Sequence, residues 1–441
     1  METITPFSLI DYHRITLRDV VLSFIDTITS FSPFHISLGL LFFLPFLDFT
    51  GNNVFDVVKH LLLSGVSFAL LIYTVTYVSL SEGHFSFPRL GFSLPLALYS
   101  ISAFASVVIA MASARVESSR AILSLITLPL LISLLYVIPQ WFHSKDSIIF
   151  SVRIFLYSLL VVDAIGLVEV ALHFIFPQLF TIRISSVFHD PNIFARFLVM
   201  GIFIVLSLLL FDVRDVLFRR LLWVLLLASI ICLFFTLSRS GLGTFFFGSI
   251  LFSILSKKRM AMFIILSSAL VGIVAFLFLL FARPFEGSVV FEPSNINRIQ
   301  LILAGIDMIR QHWLFGVGYT NFSNIFTQFY LNNSMAISLV NYEMLGYQTS
   351  IHNWLIEVWA EQGIIGLSGF VWFFIVIFRK LKVARIYTND NSMKAILLGY
   401  TLMFFAFLFH GFFYHTFFSQ FHFWVLAGFG VASIWSAHSS V

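Results

Sequence analysis

The chain has 441 residues, 59% of them hydrophobic and only 10% charged, with a mean hydropathy of +0.99. That excludes a soluble globular protein and describes an integral membrane protein with all-α, polytopic architecture. The net charge of +4 argues for no nucleic-acid partner, because the basic residues stand in short clusters between apolar runs. Cys232, the one cysteine, has no second thiol to pair with in the chain.

The first segment, "METITPFSLIDYHRITLRDVVLSF", is polar where a cleaved signal peptide would be apolar, so insertion is expected to begin with the first spanning helix. A span needs about 20 apolar residues, which gives about twelve candidates. They lie near 35–51, 57–81, 91–113, 120–142, 148–172, 192–211, 218–237, 240–256, 260–281, 363–379, 394–411 and 417–437. The organisation expected is nine helices over 1–281, an outer loop carrying motifs over 282–362, and three helices over 363–441.

The basic clusters "FRR" (218–220), "KKR" (257–259) and "RKLK" (379–382) fall on one side of the alternating spans, which the positive-inside rule makes cytoplasmic. Both termini are expected there. The opposite side receives "SRSG" (238–241), the polar stretch 282–351 and "HGFFYH" (410–415).

Within that stretch, "NINRIQLILAGIDMIRQHW" spaces Ile302, Gly305, Met308 and Ile309 as one buried helix face, with Ser294 or Asn295 as candidate cap. "FGVGYTNF" reads as a glycine turn. "NFSNIFTQFY" places Phe322, Ile325, Phe326 and Phe329 on a stripe suited either to the lipid interface or to packing on the membrane domain.

The polar residues of this face carry the candidate chemistry. Arg239 is either a snorkelling anchor or a ligand contact, with Ser238, Ser240 and Gly241 leaving room beside it. Arg298 opens a helix, where backbone N–H groups and a guanidinium favour an anion, or else it forms a surface salt bridge. Arg283 and Arg310 decorate the loop. His352 and Asn353 precede the tenth span. Read as helix, Asn353, Glu357 and Glu361 share one face and His352, Ile356, Trp359 and Gly363 another. Gly363 and Gly366 would admit a helix or lipid chain. His352 is either an interfacial residue or a reacting group. No histidine and carboxylate pair stands at metal-ligand spacing around it.

Four motifs, "HDPNIFARF" (189–197), "SRSG" (238–241), "NRIQLILAGIDMIRQHWLFGVGYTNF" (297–322) and "HNWLIEVWAEQGIIG" (352–366), resemble the ordered motifs of the O-antigen ligase and polymerase superfamily. The resemblance covers roughly residues 180–380. It implies a metal-independent, cofactor-free glycosyltransferase of the bacterial cytoplasmic (inner) membrane, acting at its outer face on polyprenyl-diphosphate-linked oligosaccharide. It implies diphosphate contacts from Arg239 and Arg298 and a base or orienting role for His352. Supporting positions are Asn192, Arg196, Ser238, Ser240, Gly318 and Asn353. "SRS" stands where many ligases show a threonine before the arginine.

The expected reaction is polymerisation onto an acceptor glycan, with a chain-length regulator as a partner. The alternative is ligation to lipid A core. A transporter would show internal repeats with ionisable groups at the midplane, and a scaffold would not need arginine and histidine gathered on one side.

Overall fold

The computed structural model describes residues 64–65, 67–75, 91–113, 118–142, 144–211, 215–256, 293–331, 351–414 and 421–439. Their regular structure is helical: after a short stretch within 64–75 come α1 (Ser93–Ala112), α2 (Ser118–Trp141), α3 (Lys145–Ile175), α4 (Pro191–Leu210), α5 (Val216–Phe235) and α6 (Arg239–Ser256). They are followed by α7 (Pro293–His312), α8 (Phe322–Leu331), α9 (Trp354–Tyr387), α10 (Asn391–Gly411) and α11 (Phe421–Ser439). The spans expected near 35–51 and 260–281, the "KKR" cluster and Arg283 lie outside the described residues.

Among the described residues seven helices, α1, α3, α4, α5, α6, α9 and α10, are long and apolar enough to cross a membrane. Shorter apolar helices run over Leu125–Trp141 in α2 and Phe423–Ala437 in α11. The architecture is that of a polytopic helical membrane protein. Lipid offers no hydrogen bonds, so each span must satisfy its backbone internally, which only a helix does within one segment. Outward-facing side chains are accordingly apolar: Ile101 and Phe104 of α1 are 65% and 60% exposed, and Leu227 of α5 is 63% exposed.

Helix starts are set by side-chain caps. Ser144, Asp190, Asp215, Asn353 and Asp390 each accept a backbone N–H from the first turn that follows, satisfying donors that a helix leaves orphaned. α4 is the central helix, with Asn192 through Leu210 all buried. It packs against α10, α5 and α6, while α1 lies on α9 and α2 on α11. At one end of the bundle Asp390 pairs with Lys145. At the other, the starts of α4, α6 and α9 meet the end of α10.

α7 and α8 form a second small core on that end, built from Leu301, Met308, Val317, Phe322, Ile325, Phe326, Ile351 and Ala360. The stripe Phe322, Ile325, Phe326 therefore packs on protein; the side chain of Phe329 lies outside the described residues. α7 begins at Pro293, ahead of Ser294 and Asn295, so neither stands at the cap position expected for it.

α9 is two helices joined at Gly363, whose φ of 69° and ψ of −174° break the helical path. The glycine turn fills the break. Ile364 N donates to Trp313 O (2.9 Å), Val317 N to Ala360 O (2.9 Å) and Gly318 N to Glu361 O (3.0 Å). The Glu361 carboxylate accepts from Thr320 N (2.9 Å) and Phe322 N (3.2 Å). What Gly363 admits is thus this turn, since a Cβ there would strike the Leu314 carbonyl. Gly366 does face another helix, with a Cβ at 3.0 Å from Ser102 Oγ of α1.

Candidate active site

The "SRSG" motif is fixed from both sides. Ser238 Oγ accepts from Gly241 N (3.1 Å), capping α6, and donates to Asn192 Oδ1 of α4 (2.8 Å). Ser240 Oγ lies 3.1 Å from Ser238 Oγ and shares a hydrogen bond of 3.1 Å with His410 Nε2 of α10. Arg239, between the two anchored serines, is exposed at the mouth.

The connection between α3 and α4 supplies a second arginine. Ser185 N and Ser186 N both donate to the Glu169 carboxylate at 2.9 Å, and Ile184 N reaches Phe235 O at 3.1 Å. These bonds hold Arg183, whose Nε donates to Thr236 O (3.3 Å). Arg298 arrives on α7, partly buried.

His352 differs from the expected helical register. It lies ahead of α9 with φ at 55°, and Asn353 is the cap, accepting from Leu355 N (3.1 Å) and Ile356 N (3.2 Å). His352 therefore shares no helix face with Ile356 or Trp359. The left-handed backbone turns its ring away from α9 and onto Tyr414, with ring centroids 5.4 Å apart. Asn353 Nδ2 donates to Phe412 O (3.3 Å) and Trp354 Nε1 to Leu408 O (3.0 Å), tying the start of α9 to the end of α10.

These pieces enclose a cavity of about 230 Å³ lined by Arg183, Asp190, Asn192, Leu237, Arg239, Ser240, Arg298, His352 and Tyr414. Three guanidiniums against one carboxylate give the lining a net charge of +2. Loss of water holds the Arg298 pKa below its ordinary value, and the like charges of Arg239 and Arg183 add to the effect. Burial lowers His352 to about 4, with Arg298 acting in the same direction and Asp190 opposing. Burial likewise raises Tyr414 well above the usual tyrosine value, and the Asp190 carboxylate, to which it is hydrogen-bonded, raises it further. At neutral pH the site thus holds a neutral imidazole beside positive charge. Such a wall suits an anion with about two negative charges, and the imidazole is in the form that can accept a proton.

Arg239, Arg298, His352, Ser240 and Asn192, singled out in the sequence, share this cavity. Arg196 does not line it; it is fully buried one turn deeper, its guanidinium 5.2 Å from the Phe407 ring centre and 5.9 Å from that of Tyr414. Ser238 and Asn353 support the walls. Gly318 belongs to the glycine turn, with φ at 112°. Sequence reasoning missed Arg183, Asp190 and Tyr414. Tyr414 was in view within "HGFFYH", Asp190 within "HDPNIFARF", and Arg183 is a basic residue in the same connection between spans as Asp190.

The fold and cavity define a multi-pass membrane protein with a basic, histidine-bearing site at one end of its bundle. Residues 223–371 match a protein-family model described as O-antigen ligase, which supports the O-antigen ligase and polymerase superfamily and a glycosyltransferase-like activity of that type. No curated protein matches the chain. The matched stretch contributes Arg239, Arg298 and His352 to the cavity, while Arg183, Asp190 and Tyr414 come from outside it.

Proposed function

We propose that the protein transfers glycan from a polyprenyl-diphosphate donor to an acceptor hydroxyl at the outer face of the bacterial inner membrane. The observation that carries this reading is the cavity in which Arg183, Arg239 and Arg298 surround His352. A diphosphate diester carries two negative charges, matching the lining. As its bond to the anomeric carbon breaks, charge grows on the leaving oxygen, where each fixed donor is worth about 2.7–4 kcal/mol. Arg239 and Arg298 bind the diphosphate and His352 takes the acceptor's proton. Bound diphosphate offsets the arginine field and returns His352 toward the basicity that proton transfer needs. No step requires a metal ion or cofactor.

The preferred acceptor is a second lipid-linked glycan, which makes the protein a polymerase working with a chain-length regulator. The second reading, ligation to lipid A core, is favoured by the description of the matched family. Purified protein given a polyprenyl-diphosphate oligosaccharide should elongate it on a second donor molecule; product formed only with lipid A core would make it a ligase. No transfer to either acceptor would overturn the reading.

The cavity end is assigned to the outside and both termini to the cytoplasm. Trp313→Cys, at an exposed position beyond α7, should react with an impermeant thiol reagent in intact cells, whereas Lys382→Cys, exposed towards the end of α9, should not. The reverse pattern would invert the topology.

A further inference from the structure

Asp190 stands out in a site made for an anion. It begins α4, where its Oδ1 accepts from Asn192 N at 2.6 Å, and it lines the cavity with the three arginines. A cap alone does not call for a carboxylate, because asparagine and serine cap about as well. A negative charge there also weakens diphosphate binding. Its presence calls for something the binding step does not supply.

The neighbours of Asp190 point to the proton. Tyr414 is hydrogen-bonded to it, and the Tyr414 ring packs against His352 on one side and His410 on another, at 5.4 and 5.9 Å between centroids. Arg196 lies 5.9 Å from the same ring. The charged and titratable groups that line the cavity with His352 are Arg298 from α7, Arg239 from α6, Arg183 before α4, Tyr414 after α10 and Asp190. Among the described residues that line the cavity, Asp190 carries the charge opposite to that of the arginines.

We propose that Asp190 is a positioning residue for proton transfer: held by the α4 cap, it orients His352 through Tyr414 and balances the imidazolium formed when His352 accepts the acceptor's proton. This inference rests on the transferase reading above. In the step concerned, the acceptor oxygen bonds to the anomeric carbon and the carbon–oxygen bond to diphosphate breaks, its electron pair leaving with the diphosphate. The hydroxyl proton moves to His352; Asp190 remains a carboxylate. The direction in which Asp190 acts on His352, opposing burial and Arg298, agrees with this.

The test is Asp190→Asn, which keeps the cap and an acceptor for Tyr414 while removing the charge. Polyprenyl diphosphate should bind the variant as tightly as the unmodified protein or more tightly. Its kcat should fall at least about tenfold, and the acid limb of its kcat–pH profile should move to lower pH. Tyr414→Phe, which keeps the ring but not the hydroxyl, should lower kcat less and guards against a folding failure of the first variant. An unchanged kcat and pH profile in both, or weakened diphosphate binding with kcat intact, overturns the role of Asp190. If the unmodified protein transfers nothing from a polyprenyl-diphosphate glycan, the transferase reading fails and this inference with it.

Discussion

The two ends of the bundle use the same residue types to different effect. At one end Asp390 caps α10 and pairs with Lys145, Arg153 lies over the Phe218 ring at 5.6 Å, and Lys382 stands exposed. At the other end Asp190 caps α4 just as Asp390 caps α10, but Arg183, Arg239 and Arg298 converge on the cavity beside it. The first arrangement spreads charge where water and headgroups screen it. The second concentrates like charge in a partly dry space, which costs stability unless a ligand of opposite sign is bound. That cost is the reason for placing the proposed transfer at the second end.

The largest difference between the two ends is expected at His352. His352→Ala should still bind polyprenyl diphosphate through the arginines, while transfer falls by roughly 10²- to 10⁴-fold, the range for a lost general base. Near-normal transfer would return His352 to an interfacial role.

Next comes Arg298→Lys, which keeps the charge and removes the planar two-donor fork. Transfer should fall about 10²-fold with membrane insertion unchanged, as read by the detergent-solubilised yield. Full activity would make Arg298 a surface charge like those of the far end.

The depressed pKa of His352, about 4, makes the cavity end sensitive to pH. An unfolded histidine titrates near 6.5, so the unfolded chain takes up the proton first. The stabilising effect of a neutral His352 is complete above about 6.5 and is lost as pH falls towards 4. The difference in unfolding temperature between the unmodified protein and His352→Gln should therefore shift against the unmodified protein as pH falls from 7.5 to 5. A pH-independent difference would contradict the buried, arginine-flanked setting. In the transfer reaction, the acid limb of kcat should lie at higher pH than that of kcat/KM, because bound diphosphate offsets the arginines.

The smallest effect belongs to the far end. The Lys145 and Asp390 side chains are 49% and 35% exposed, so Lys145→Ala should cost less than about 1 kcal/mol and leave transfer unchanged. A large loss of activity would show that the two ends are coupled.

Much of the candidate site was legible because its polar residues stand at the ends of apolar runs and in the long segment between them. Arg239 and Arg298 are basic residues on the side that the span count assigns to the outside, where the positive-inside rule expects few, and Gly316 and Gly318 read directly as a turn. His352 was legible as a residue but not in its pose. Helical periodicity carried it into α9, whereas Asn353 captures the first N–H groups and leaves His352 outside with positive φ. The paired role of Gly363 with the turn was also hidden, since the carbonyl that meets it belongs to Leu314, far away along the chain.

That this is a helical membrane protein, where most of its apolar helices lie and which polar residues gather at one end could be read from the amino acids alone. Those follow from local physics: apolar length against bilayer thickness, and the cost of polar groups in lipid. That Arg183, Asp190 and Tyr414 join Arg239, Arg298 and His352 around one cavity follows from the folded arrangement. Their separation in sequence is bridged by the packing of α4 on α10, by Ser238 on Asn192 and by Asn353 on Phe412. Such contacts leave no periodic trace, because each depends on where two distant segments come to rest and not on the spacing within either.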